Sequence, residues 1–215
     1  MCTISGLSVT ARLKEKTLIA LLDESVVFSE RIGDATEHRE FSLSDGCIAP
    51  AAACFHIALE HHGAVLMLTR SRLHGSAIAL LRPQFESFVR GVWLRRCASP
   101  VQLHKFLAGS NPPEISEQLR AIESLEWYES RVLSRFISLS WRTLCDYTHT
   151  GVRQIGRRFL DNEVTQNYST DEQIELLKAS NFFAALTAFE MTDSFLDREP
   201  LQAIEHAYEV LSEKY

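Results

Sequence analysis

Apolar residues recur every three to four positions along most of the chain, and no stretch alternates apolar with polar as a half-buried strand would. The first run predicts a helix from about Val9 to Ile32, with Leu13, Leu18, Leu21, Leu22 and Val26 on one stripe and Gly33-Asp34 ending it. Ser44-Asp45-Gly46 predicts the start of a second helix that carries Ala51 to Arg72. Gly75 interrupts, and a third run climbs through Ala77 to Arg82-Pro83. The missing N–H of proline predicts a kink or restart there before the helix continues through Phe85, Val89 and Trp93 to Cys97. Ser99-Pro100 opens a short helix ending near Ala108, and Glu114 to about Thr148 is the longest helical run. Asp161 to Thr170 reads as loop. Thr170-Asp171 then caps a helix through Phe195, and Pro200 suits the first turn of a last one ending at Lys214. Six or seven helices predict an all-α, mostly antiparallel bundle in one domain over residues 1–215, with Gly109 to Pro113 a linker inside it.

Composition narrows this little. The balance of 46% hydrophobic and 23% charged residues is that of a soluble globular protein. Lys+Arg 22 against Asp+Glu 28 leaves a formal charge of −6, which argues against a surface coated in positive charge, such as that of a histone-like DNA binder. The start, Met1-Cys2-Thr3-Ile4-Ser5-Gly6, lacks a basic region followed by an apolar one, and the run Gly63 to Leu68 is far short of a membrane span. Five scattered cysteines without a Cys-x-x-Cys pair read as buried thiols in a reducing compartment, so a cytoplasmic location is expected.

Position along the last third of the long helical run changes the picture. At 100° per residue, Arg131, Arg135, Ser138, Asp146, His149 and Arg153 all fall within roughly 40° of Arg142. Leu133, Ile137, Trp141, Leu144 and Val152 gather on the other side and supply the core face. One continuous basic stripe in a net acidic protein is a candidate site for an anion such as phosphate. Its plain alternative is a solvated face with an Arg142–Asp146 pair, and inclusion of Arg153 requires the helix to run past Gly151.

A second stripe, Arg82, Glu86 and Arg90, sits beside the apolar positions Phe85, Val89 and Trp93. It reads either as a half-buried ion-pair ladder or as a set of arginines reaching the His149 site from a neighbouring helix. Metal chemistry finds no framework. Asp146-x-x-His149 and His56-x3-Glu60 with His61-His62 offer ligands, but no Glu-x-x-His pair exists for a di-iron bundle, so no metal and no cofactor is expected. Phosphate-cradling loops, the dinucleotide fingerprint and the Gly-x-Ser-x-Gly elbow are absent too. Phe182-Phe183, Phe189 and Phe195 are expected in the core, and Gly33 to Asp45 is polar enough to be an exposed partner-binding loop.

Arg142-Thr143-Leu144-Cys145-Asp146-Tyr147-Thr148-His149 has the Arg-x6-His form and resembles the motif of the HEPN superfamily. These are small all-α domains of prokaryotic toxin–antitoxin and phage-defence systems, many of them metal-independent ribonucleases. The adjoining Tyr147-Thr148-His149-Thr150-Gly151-x-x-Gln154-x-x-Arg157-Arg158 is similar to a segment of uncharacterised bacterial helical proteins. The resemblance implies RNA as substrate, a homodimer with two such helices facing each other, and an antitoxin or other protein partner. It implies His149 as acid or base and Arg142 as stabiliser of the scissile phosphate. HEPN ribonucleases place a polar Asn, Asp or His directly after the arginine. Thr143 stands there in this chain, so Asp146 would take the supporting role by orienting the imidazole. Arg82, Glu86, Arg90, Arg135, Arg153, Gln154, Arg157 and Arg158 are the candidate phosphate-binding residues. The rival expectation is a non-catalytic helical bundle that binds a partner protein or a small anionic ligand through the same Arg/His stripe.

Overall fold

The computed structural model describes residues 9–36, 46–193 and 199–215. They form an all-α fold: α1 (Val9–Thr36), α2 (Ile48–Arg70), α3 (His74–Arg96), α4 (Pro100–Leu107), α5 (Ile115–Ile122), α6 (Val132–Thr148), α7 (Val152–Gly156), α8 (Thr170–Thr192) and α9 (Glu199–Lys214). A single 3-10 turn, Glu126–Tyr128, lies between α5 and α6. Among the described residues there is also one pair of two-residue strands, β1 (Phe159–Leu160) and β2 (Glu163–Val164), where only loop was expected. Asp161 and Asn162 join them, both at positive φ, and this is the twist that short residues tolerate in a tight hairpin. The Ser44-Asp45 helix start, most of the polar Gly33 to Asp45 segment and Phe195 lie outside the described residues.

Two apolar clusters share α8. Leu176, Phe183 and Met191 join a core with Phe55 and Val65 of α2, Phe85, Phe88 and Trp93 of α3, and Leu133 and Leu144 of α6. Leu177, Ala184, Ala185 and Ala188 of α8 join another with Leu21, Phe28 and Ile32 of α1 and Ile204 and Leu211 of α9. The first is centred on aromatic rings: Phe183 meets Phe85 and Phe136 edge-on at 5.1 and 4.7 Å. α2 and α3 approach so closely that the Cα of Gly91 rests on the Phe55 ring. By length and composition α2 is apolar enough to cross a membrane, a property that the unbroken run Gly63 to Leu68 understates. In this fold it buries Phe55, Ala58, Val65 and Leu66.

Of the kink or restart expected at Pro83 the restart does not occur, and the long helical run from Glu114 is divided. α3 neither ends nor restarts at Pro83. Proline leaves the Ala79 carbonyl without its usual donor, and the Thr148 hydroxyl at the end of α6 lies 3.4 Å from that oxygen while bonding Leu144 O at 2.9 Å. The long run from Glu114 to Thr148 is not one helix, because the chain leaves α5 at Glu123 and re-enters α6 only after Arg131, held at φ +49. Glu123 then accepts from the Ser134 backbone N–H at 2.8 Å, placing a carboxylate on the positive end of α6. Arg131 is thereby lost from the stripe.

Candidate functional site

The last turns of α6 lie along α3, with Thr148 at Ala79 and His149 at Arg82. Arg82 is the hub. Its Nε donates to Glu86 Oε1 at 2.8 Å, its guanidinium carbon stands 4.6 Å from the centre of the Trp141 ring, and its Nη1 lies 3.4 Å from Cys145 Sγ. The same Nη1 is 2.9 Å from His149 Nε2. A guanidinium has donors only, so Nε2 must be the acceptor and the imidazole is neutral with its hydrogen on Nδ1. Both readings of the second stripe therefore hold in part. Arg82 and Glu86 pair on one helix, and Arg82 also reaches His149. Arg90 makes no such rung: its Nε is buried without a partner, and its charge is felt by the Cys54 thiol, which burial pushes up and Arg90 partly brings back.

The rest of the predicted set divides. Arg135 and Arg142 of α6 and His149 at its C-cap are all exposed, and the two guanidinium groups carry no ion pair or hydrogen bond among the described residues. Arg142 and His149 share one face but stand about 10 Å apart along the axis, at 1.5 Å per residue. The helix ends at Thr148, so Arg153 leaves the stripe and sits in α7. A turn at Thr150 (φ +56) folds it back until its Nε is 3.7 Å from Asp146 Oδ2, and this replaces the expected Arg142–Asp146 pair. Gly151 makes the turn possible, since a Cβ there would meet the Cα of Asp146 at 2.8 Å.

Gln154, Arg157 and Arg158 serve a different place. Arg157 pairs with Glu172 of α8, whose other oxygen closes a capping box on Ser169. Arg158 and Gln154 pack with Tyr168 over Gly75 at the start of α3. The segment Tyr147 to Arg158 is in large part a clasp that holds the end of α6 to α3 and α8. On the other side of α6, a cavity of about 550 Å³ lies among Leu81, Phe136, Leu139, Thr143, Tyr147 and Phe182. Leu139, Thr143 and Tyr147 stand about 60–140° around the helix from Arg142 at 100° per residue, so that cavity and the basic face are separate surfaces. Position 143 thus faces the cavity and has no access to His149.

Among the described residues no three His, Cys, Asp or Glu side chains group as metal ligands. His62, read as a ligand candidate, is fully buried between α2 and α8, with Nδ1 2.9 Å from Ser180 Oγ. Phe183 is core, and Phe182 is half-buried beside it. Trp141 and Cys145 around Arg82 and the His62–Ser180–Gln84 chain carry no local sequence signal, because their partners lie between 59 and 118 positions away. Residues 55–213 match a family of unknown function (DUF6988). No curated protein and no solved structure matches the chain.

Proposed function

Because the chain belongs to DUF6988, a family of unknown function, we propose its function from its own chemistry: a HEPN-like RNA-binding protein of the metal-independent endoribonuclease type, cytoplasmic and serving a defence or toxin–antitoxin system. The observation that carries this reading is the 2.9 Å contact between Arg82 Nη1 and His149 Nε2, at the end of the face that carries the exposed arginines 135 and 142. An imidazole and a guanidinium within one hydrogen bond are the pair that phosphodiester transfer needs. The 2′-hydroxyl loses its proton as its oxygen attacks phosphorus, and the 5′-oxygen leaves with a proton, giving a cyclic phosphate and a 5′-hydroxyl. Arg82 is held by Glu86 and Trp141 whether or not His149 is present, so it is the fixed cation of the site. A scissile phosphate that draws Nη1 to itself releases the Nε2 lone pair to act as base. Arg142 and Arg135 then bind flanking phosphates.

The test is cleavage of single-stranded RNA in EDTA. Wild type is expected to cut RNA and leave DNA of the same sequence intact. His149→Ala should lose at least about 100-fold and Arg82→Gln a similar factor. Arg142→Ala should weaken binding and make its fall with salt shallower. Equal rates in wild type and His149→Ala would refute the assignment. A second reading, RNA binding without cleavage, is favoured by the engaged Nε2 and by Thr143 facing away from the site. Salt-dependent binding weakened by Arg142→Ala, with no product at any protein concentration, selects it.

A further inference from the structure

About 20 Å along α3 from Arg82, at 1.5 Å per residue, the opposite end of the molecule holds a cavity of about 300 Å³. Behind it stands an ion-pair quartet, of which Arg96, Glu190 and Asp193 line the cavity. Arg95 and Arg96 of α3 converge on Glu190 and Asp193, with Arg96 Nε 2.8 Å from Glu190 Oε2 and Arg96 Nη2 2.8 Å from Asp193 Oδ2. Arg95 bonds the same two carboxylates at 3.0 and 2.9 Å. Tyr128 adds a 2.8 Å bond to Glu190 Oε1, and burial beside that carboxylate pushes its phenol far up, so it stays a neutral donor. Two cations against two anions leave the quartet without net charge.

The rest of the lining is aromatic and acidic. Trp127 is 86% exposed although Tyr128, the next residue, is anchored in the protein. The 3-10 turn therefore holds the indole out at the rim while fixing its backbone. Phe189 of α8 supplies a second apolar wall. Glu205 of α9 also lines the cavity, is exposed and has no ion pair among the described residues. With these four charges paired to one another, Glu205 is the lining charge without an ion pair among the described residues, and it is negative.

We propose that this cavity binds a small organic cation, an alkylammonium with a short apolar body. The cation would lie against the Trp127 indole face with Glu205 as counter-ion, and the body would lie on Phe189. Aromatic faces attract ammonium groups through the ring quadrupole, and an indole does so best. A phosphate or carboxylate is opposed by Glu205, and Arg95 and Arg96 are already engaged by two carboxylates. The site shares no residue with the His149 face and does not depend on the ribonuclease reading.

Choline is the probe, with the alcohol in which carbon replaces its quaternary nitrogen as neutral isostere, at constant ionic strength. Fluorine NMR of fluorotryptophan-labelled protein separates Trp93, Trp127 and Trp141, and Trp127→Phe assigns the Trp127 signal. Choline is expected to shift the Trp127 resonance saturably and leave that of buried Trp93 in place. The isostere should bind at least tenfold more weakly, and Glu205→Gln should weaken choline at least fivefold. Binding of the isostere as tight as that of choline would reduce the cavity to a plain apolar cleft and overturn the proposal. So would an unchanged affinity in Glu205→Gln, or a Trp127 signal that choline never moves.

Discussion

The buried His62 makes the fold acid-sensitive in a way that can be worked out from its bonds. Ser180 Oγ donates its one hydrogen to Gln84 Oε1 at 2.8 Å, so at 2.9 Å from His62 Nδ1 it must be the acceptor and Nδ1 the donor. Gln84 Nε2 donates in turn to the Ser180 carbonyl at 2.9 Å, which fixes the direction of the chain. The lone pair is then on Nε2, which is buried without a partner. A proton arriving there puts a charge in a dry core with nothing to accept its hydrogen bond. Burial accordingly lowers His62 from 6.5 to about 4. An unfolded chain takes up the proton at the higher value, so between the two values the unfolded state binds more protons. Stability is fully present above pH 6.5 and is lost as pH falls from 6.5 towards 4. At 1.36 kcal/mol per pH unit the whole loss is about 3 kcal/mol, and about 2 kcal/mol of it falls between pH 7.5 and 5. His61 and His74 are also lowered, chiefly by burial, and add in the same direction. The contribution of His62 is isolated by urea unfolding of wild type and His62→Gln at pH 7.5 and 5. The variant should lose about 2 kcal/mol less than wild type over that interval, whatever its stability at pH 7.5. Equal losses in the two proteins would refute the buried neutral imidazole.

In Gly91→Ala the new Cβ meets the Phe55 ring at 2.4–3.0 Å, and should cost about 1–3 kcal/mol by forcing α2 and α3 apart. In Gly33→Ala it meets nothing within 4 Å and should add up to about 1 kcal/mol through helix propensity; thermal shifts of the same sign in both would contradict this account. Glu190→Ala leaves two guanidinium groups, 14% and 28% exposed, with Asp193 as their one carboxylate among the described residues and the backbone carbonyl of position 190 still bonding Arg95. It should cost about 3 kcal/mol in chemical denaturation, and a loss below about 1 kcal/mol would mean that water compensates the arginines.

What could be read from the chain follows from the range of the forces involved. Helix identity was legible wherever the periodicity was strong, and Ser99-Pro100 marked its helix start because the capping box with Gln102 spans three residues. The helix opening at Thr170 was one position from its cap, Ser169, for the same reason. The errors lie where a distant group intervenes. Pro83 signals a break only if its orphaned carbonyl stays unmet, and the group near it, Thr148, is 65 positions further on. The break between α5 and α6 contains neither glycine nor proline. Its cause is Arg131 in a left-handed conformation that Glu123 and Ser134 stabilise around it.

The site shows the same division and gives it a consequence for chemistry. Angular placement put Arg142 and His149 on one face, and that depends on the helix alone. It could not say that the cation touching His149 would be Arg82, because this depends on how α6 is seated on α3. Thr148 sets that seating beside the gap that Pro83 leaves, and His149, the next residue, comes to lie against Arg82, the residue before the proline. Trp141 and Cys145, two turns and one turn earlier on α6, complete the bed for the guanidinium. A proline that looked like a defect in α3 is therefore part of what brings the imidazole and the guanidinium together.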